Sequence, residues 1–148
     1  MCYNISTMKD GFSFLEVIVV IFIFSILLVP TTFIILNHQK NLSLQMATNE
    51  VVEVFDYARE CAKSEREKIS VKFEEKNFYI LKNGKVVGKV YKLPQHIIIK
   101  EITSDFNPVV FLPDGTCKIA GHITFGIENG KNEKTLIVEN ITGKCLVK

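Results

Sequence analysis

Gly11-Phe12-Ser13-Phe14-Leu15-Glu16 opens directly onto Val17–Leu36, twenty residues without a charged side chain. At 1.5 Å per residue, a helix of about 20 residues covers the ~30 Å hydrocarbon core of a bilayer. The Ile, Val and Phe of this run would suit a strand in water. In lipid, backbone N–H and C=O groups must be satisfied within the segment, which selects a helix. Pro30 removes one intrahelical donor and predicts a kink or local loosening there. Lys9 is offset by Asp10 on one flank and Lys40 stands alone on the other, so charge does not fix the topology. Glu16 is the costly residue, because a carboxylate at mid-bilayer costs ~2.5–3.5 kcal/mol on insertion scales. A chain that keeps one beside such a run implies a partner charge for it.

Outward from this run, the chain of 148 residues divides by composition. Residues 1–11 are short and polar and lack the apolar region of a secretory signal peptide; Met8 is an alternative start. Residues 12–36 form the apolar stem, residues 37–68 a polar continuation, and residues 69–148 a β-rich domain. The part beyond residue 36 is long enough for one small core. The net charge of +2 demands no polyanionic partner.

In the polar continuation, Val51, Phe55, Ala58 and Ala62 recur at helical spacing, and Val52 and Val54 widen the stripe. No Gly or Pro occurs between Thr31 and Asn83, so the helix is expected to run from Phe12 to about Glu67, on the order of 80 Å. Its second half carries one apolar face that must pack on something. Strands are expected at Ile69–Glu75, Phe78–Lys82, Lys85–Lys92, Ile97–Thr103, Val109–Leu112, Ile123–Ile127, Thr135–Glu139 and Lys144–Val147. Asn83-Gly84 marks a tight hairpin turn. A long helix followed by short strands reads as α+β: a mainly antiparallel sheet burying its inner face on the Val51/Phe55/Ala58/Ala62 stripe.

The residues give no reason to expect an enzyme. His38, His96 and His122 have no Cys, Asp or Glu at metal-ligand spacing, and no metal or cofactor is expected. Phosphate loops, Gly-x-Ser-x-Gly elbows and Cys-x-x-Cys pairs do not occur. Asp114-Gly115 reads as turn chemistry. Cys2 lies in the leader and Cys61 in the helix. Cys117 and Cys145 are the candidates for a disulfide if the domain is exported; the alternative is two small buried hydrophobes.

A polar leader ending in Gly11, an aromatic Phe12, Glu16 at the fifth place after that glycine and then the apolar run resemble type IV prepilins and the pseudopilins of type II secretion. Ala58-Arg59-Glu60-Cys61-Ala62, Val110-Phe111-Leu112-Pro113-Asp114-Gly115-Thr116 and Thr142-Gly143-Lys144 resemble the H-type minor pseudopilins (GspH/FimT type). They are also similar to minor pilins of type IV and competence pili. The resemblance implies cleavage between Gly11 and Phe12 by a prepilin peptidase and N-methylation of Phe12. It implies that Glu16 of one subunit meets the Phe12 amine of its neighbour, which sets the register of assembly. Other pilin or pseudopilin subunits, an inner-membrane assembly platform and the cytoplasmic membrane are the implied partners, with the β-domain extracytoplasmic. DNA is an alternative partner through Lys144 and Lys148; relatives that bind DNA carry arginines there, which weakens that reading. A further alternative is an unprocessed single-pass membrane sensor.

Overall fold

The computed structural model describes residues 13–148, apart from the side chains of residues 27–37. The cleavage site Gly11-Phe12 and the side chain of Pro30 lie outside the described residues. Two compact units are present, one ending at Asn37 and one spanning His38–Lys148.

Helix α1 runs Phe14–Glu65. In the first unit, every described side chain from Ser13 to Ile26 is exposed, Phe14, Leu15 and Phe22 among them. Ser25 donates its hydroxyl to Ile21 O at 2.8 Å, so this side chain is satisfied by its own helix. Among the described residues, no helix is long and apolar enough to cross a membrane.

In the second unit, α1 buries Leu44, Ala47, Thr48, Val51, Val54, Phe55, Ala58 and Ala62. The expected stripe is therefore present and begins two turns earlier, at Leu44. Thr48 fits inside it because its hydroxyl donates to Leu44 O at 2.8 Å.

The helix stops at Glu65, slightly before the expected end, without a glycine. Arg66 adopts the left-handed conformation, φ 54°, that usually calls for Gly at this position. The first hairpin holds the turn: Lys82 pairs with both Glu65 and Glu67, the latter at 3.2 Å. A non-glycine residue in this conformation costs about 1–2 kcal/mol, against roughly 0.5–1 kcal/mol for glycine's extra backbone entropy. Arg66→Gly should therefore raise stability by up to about 1 kcal/mol, read as a rise in Tm of the full chain in detergent; a fall in Tm would contradict it.

The strands are β1 (Ile69–Glu74), β2 (Asn77–Lys82), β3 (Lys85–Lys92), β4 (Ile97–Ile102), β5 (Val109–Phe111), β6 (Gly121–Ile127), β7 (Glu133–Val138) and β8 (Cys145–Val147). They form two four-stranded sheets rather than the one expected, in the orders β3-β2-β1-β5 and β4-β6-β7-β8. All pairings are antiparallel. The break at Leu93-Pro94 is where the chain leaves the first sheet. It returns once, when β5 pairs with β1 through Ile69↔Phe111 and Val71↔Val109. Asn83 and Gly84, at φ 52° and 75°, form the hairpin turn between β2 and β3.

Both sheets contribute to one core with the helix. Phe55 of α1 meets Phe73 and Phe111 edge-on, at 5.9 and 5.7 Å between ring centroids. Phe73 of the first sheet lies 6.4 Å from Phe125 of the second. The architecture is α+β, with the helical stripe as the common floor.

Candidate assembly site

Ser13 starts α1: the N–H groups of Glu16 and Val17 donate to its carbonyl at 2.9 and 3.2 Å. Serine is a favoured residue at this cap position, and the glutamate three residues on makes Ser13-Phe14-Leu15-Glu16 a capping-box sequence. Among the described residues, no side-chain hydrogen bond closes that box. The Glu16 carboxylate is exposed in the first helical turn. There it faces the positive end of the helix dipole, a contribution of about 0.3–1 kcal/mol. That gives the exposed carboxylate a local reason to exist. Counted from Phe12, Glu16 is the fifth residue.

The three short signatures of the second unit converge on one corner of the β-domain. Arg59 and Lys63 of α1 form its floor. The turn after β5 is built by Asp114, whose Oδ1 accepts from the N–H and hydroxyl of Thr116 at 2.9 and 2.7 Å. These two donors hold the Asp114 carboxyl below its usual range. Gly115, at φ 83°, lies over the Lys63 side chain. Gly143, at φ 62°, packs so closely that a Cβ there would sit 2.2 Å from Gly115 O and 3.1 Å from Arg59 Cδ. Thr142 and Gly143 are in turn tied to Glu139, by hydroxyl to Oε2 at 2.9 Å and by N–H to O at 3.0 Å. This corner pins the last strand and the β5 turn to the helix. Asp114 is a turn residue, as its dipeptide suggested.

Because the Asp114 carboxyl is favoured in its ionised form on folding, its contribution is present above the ordinary carboxylate range. It fades as pH falls through the lowered value, below about pH 4. Tm of the full chain and of Asp114→Asn, measured against pH, should converge on acidification; a gap independent of pH would contradict the assignment.

The bridge considered for Cys117 and Cys145 is not formed in this structure: both thiols are free, as is Cys61. Cys117 is buried and donates its S–H to Ile119 O at 3.2 Å. Burial, with Asp56 nearby, pushes the Cys145 thiol up to about 12. Lys144 and Lys148 are exposed on either side of β8. Among the described residues, no group of three His, Cys, Asp or Glu could hold a metal ion.

Two features had no place in the sequence reading. The cap at Ser13 was visible as S-x-x-E. The packing of Gly143 on Gly115 and Arg59 joins residues far apart in the chain, and no local signal marks it.

Comparison with known proteins agrees with this geometry at both ends. The prokaryotic N-terminal methylation motif matches residues 7–32. No curated protein sequence matches the chain. Among solved structures, the type IV minor pilin FimU of Pseudomonas aeruginosa (strain PAO1) is similar in two crystal forms. One is 21% identical at a TM-score of 0.59, covering 71% of this chain and 92% of that one. The other is 20% identical at a TM-score of 0.62, covering 75% and 92%. The chain thus carries a prokaryotic N-terminal methylation motif at its head and shares the fold of that minor pilin behind it.

Proposed function

We propose that this chain is a minor pilin or pseudopilin: a structural subunit, not an enzyme, that a prepilin peptidase cuts after Gly11 and methylates at Phe12. Before assembly its stem anchors it in the cytoplasmic membrane as a single span, with the β-domain outside. The observation that carries this reading is the methylation motif over residues 7–32 in front of a free Glu16 carboxylate in the first turn of an exposed apolar helix. Cleavage creates the positive amine that the carboxylate lacks. Neighbouring stems that pair these two charges avoid an uncompensated ion in a low-dielectric bundle, whose cost is about 3–5 kcal/mol. The chain is thus a substrate of processing chemistry and a part of a short filament that an inner-membrane platform builds with other pilin-like subunits.

A tagged full chain in its native host tests this. The processed form should appear in sheared filament fractions, and should vanish from them when the peptidase is deleted. A chain that stays in the membrane fraction whether or not the peptidase is present would overturn the reading. Gene neighbourhood and secretion, twitching and transformation assays of a deletion strain then separate the secretion, pilus and competence systems.

A further inference from the structure

The β-domain has a polar, basic rim at its join with α1. Leu44 is the first described residue of α1 to be buried, and Lys40 stands one turn before it on the same helix face, exposed. Asn41 beside it accepts from the Asn132 amide at 2.6 Å, which ties the loop between β6 and β7 to this turn of the helix. That loop carries the exposed Lys131 and leads into Lys134. Lys134 pairs with Phe125 across the strands and so shares its core face, yet it is only half buried. A cavity of about 340 Å³ opens there, between His38, Asn41 and Gln45 of α1 and Asn132, Glu133 and Lys134.

The rim carries a surplus of positive charge. Lys40, Lys131 and Lys134 have no carboxylate within ion-pair distance among the described residues. Glu133 is held by Lys100 at 3.2 Å. Glu128 is the other acid of the loop. With both acids and Lys100 counted, the rim holds four lysines and two glutamates, net +2. Ammonium and amide N–H groups donate, phosphate oxygens accept, and such charge-assisted bonds are the stronger kind.

Chain length decides what can meet this rim. Asn41 is five residues past Leu36, the last residue of the apolar run. Even fully extended, five residues reach about 18 Å, so the tied loop stays near the place where the run leaves hydrocarbon. The headgroup layer begins at that place and is about 5–8 Å deep on each side of a bilayer. Phospholipid phosphates lie in it, and an anionic surface attracts nearby lysines over about one Debye length, ~8 Å at physiological salt.

We propose that Lys40, Lys131 and Lys134 rest on the phospholipid phosphates of the membrane that anchors the stem, the cavity beside Lys134 receiving one headgroup. The proposal rests on the anchoring reading above and adds to it a lipid contact of the β-domain.

The test uses the unsubstituted full chain in nanodiscs of phosphatidylethanolamine and phosphatidylglycerol, and in phosphate-free maltoside micelles. A water-soluble amine reagent is applied briefly, and labelling at each lysine is read by peptide mass spectrometry. Lys40, Lys131 and Lys134 should label about fivefold more slowly in the nanodiscs, and high salt should erase most of that protection. Lys85, in the hairpin beside the C-terminal end of α1, is the control and should label within about twofold in both. Equal labelling of the rim in both settings, protection that Lys85 shares, or protection indifferent to salt overturns the contact. Protection that appears in micelles and grows with protein concentration assigns the rim to a second copy and overturns it as well. If the chain does not co-purify with the discs, the anchoring reading beneath is wrong; if it does and the rim labels as in micelles, the lipid contact alone is wrong.

Discussion

Glu16→Ala should leave leader cleavage within about twofold of the parent and reduce incorporation into filaments by two orders of magnitude or more. The size of the effect separates two roles for the carboxylate. As a favourable charge at a helix start it is worth about 0.3–1 kcal/mol, a few-fold at most. As the partner of a neighbour's amine in a water-poor bundle, its removal leaves that amine uncompensated, at about 3–5 kcal/mol, or more than a hundredfold. Glu16→Gln sharpens the distinction. It retains an acceptor for the capping pattern begun by Ser13 but no charge, so it should fail as Ala does. Quantifying processed and filament-borne protein by immunoblot gives both readouts, and a Gln variant that assembles normally would reduce Glu16 to a capping residue.

Gly143→Ala should destabilise the domain by about 3 kcal/mol, the second large effect. Its φ of 62° already costs a residue with a Cβ about 1–2 kcal/mol. The new methyl would meet Gly115 O at 2.2 Å, a backbone atom that cannot rotate away. The last strand and the β5 turn would have to separate from Arg59, a strain of further kcal/mol. Tm should fall by roughly 10–20 °C for a unit of this size. Gly84→Ala is the control: its φ is 75°, yet nothing lies within 4 Å of the added methyl. It should cost only the backbone share. Equal losses in the two variants would show that the packing of Gly143 on Gly115 contributes little.

Most of the strands were legible because they are β-branched or aromatic runs near Gly, Pro or Asn, with boundaries that fall close to those observed. The helical stripe was legible from its 3.6-residue period. Its extension to Leu44 was not, because Leu44, Ala47 and Thr48 sit among polar residues and only their spacing places them on the same face. The stop at Glu65 was hidden because Arg66 takes a glycine-like conformation, held there by Lys82 from the following hairpin. Two sheets instead of one could not be read locally, since the choice depends on β5 returning to β1 and β4 crossing to β6. The methylation motif over residues 7–32 was legible in Gly11, Phe12 and Glu16 together. The corner of Arg59, Gly115 and Gly143 was legible only as three separate signatures, because tertiary packing brings them together.

The central claim is that the chain is cut so that its own new amine completes the Glu16 carboxylate of a neighbour. Intact-mass analysis of the full protein extracted from membranes of its native host tests it most directly. The expected species begins at Phe12 and carries one added methyl group on its amine. A chain that retains residues 1–11 in cells with an active prepilin peptidase would contradict it.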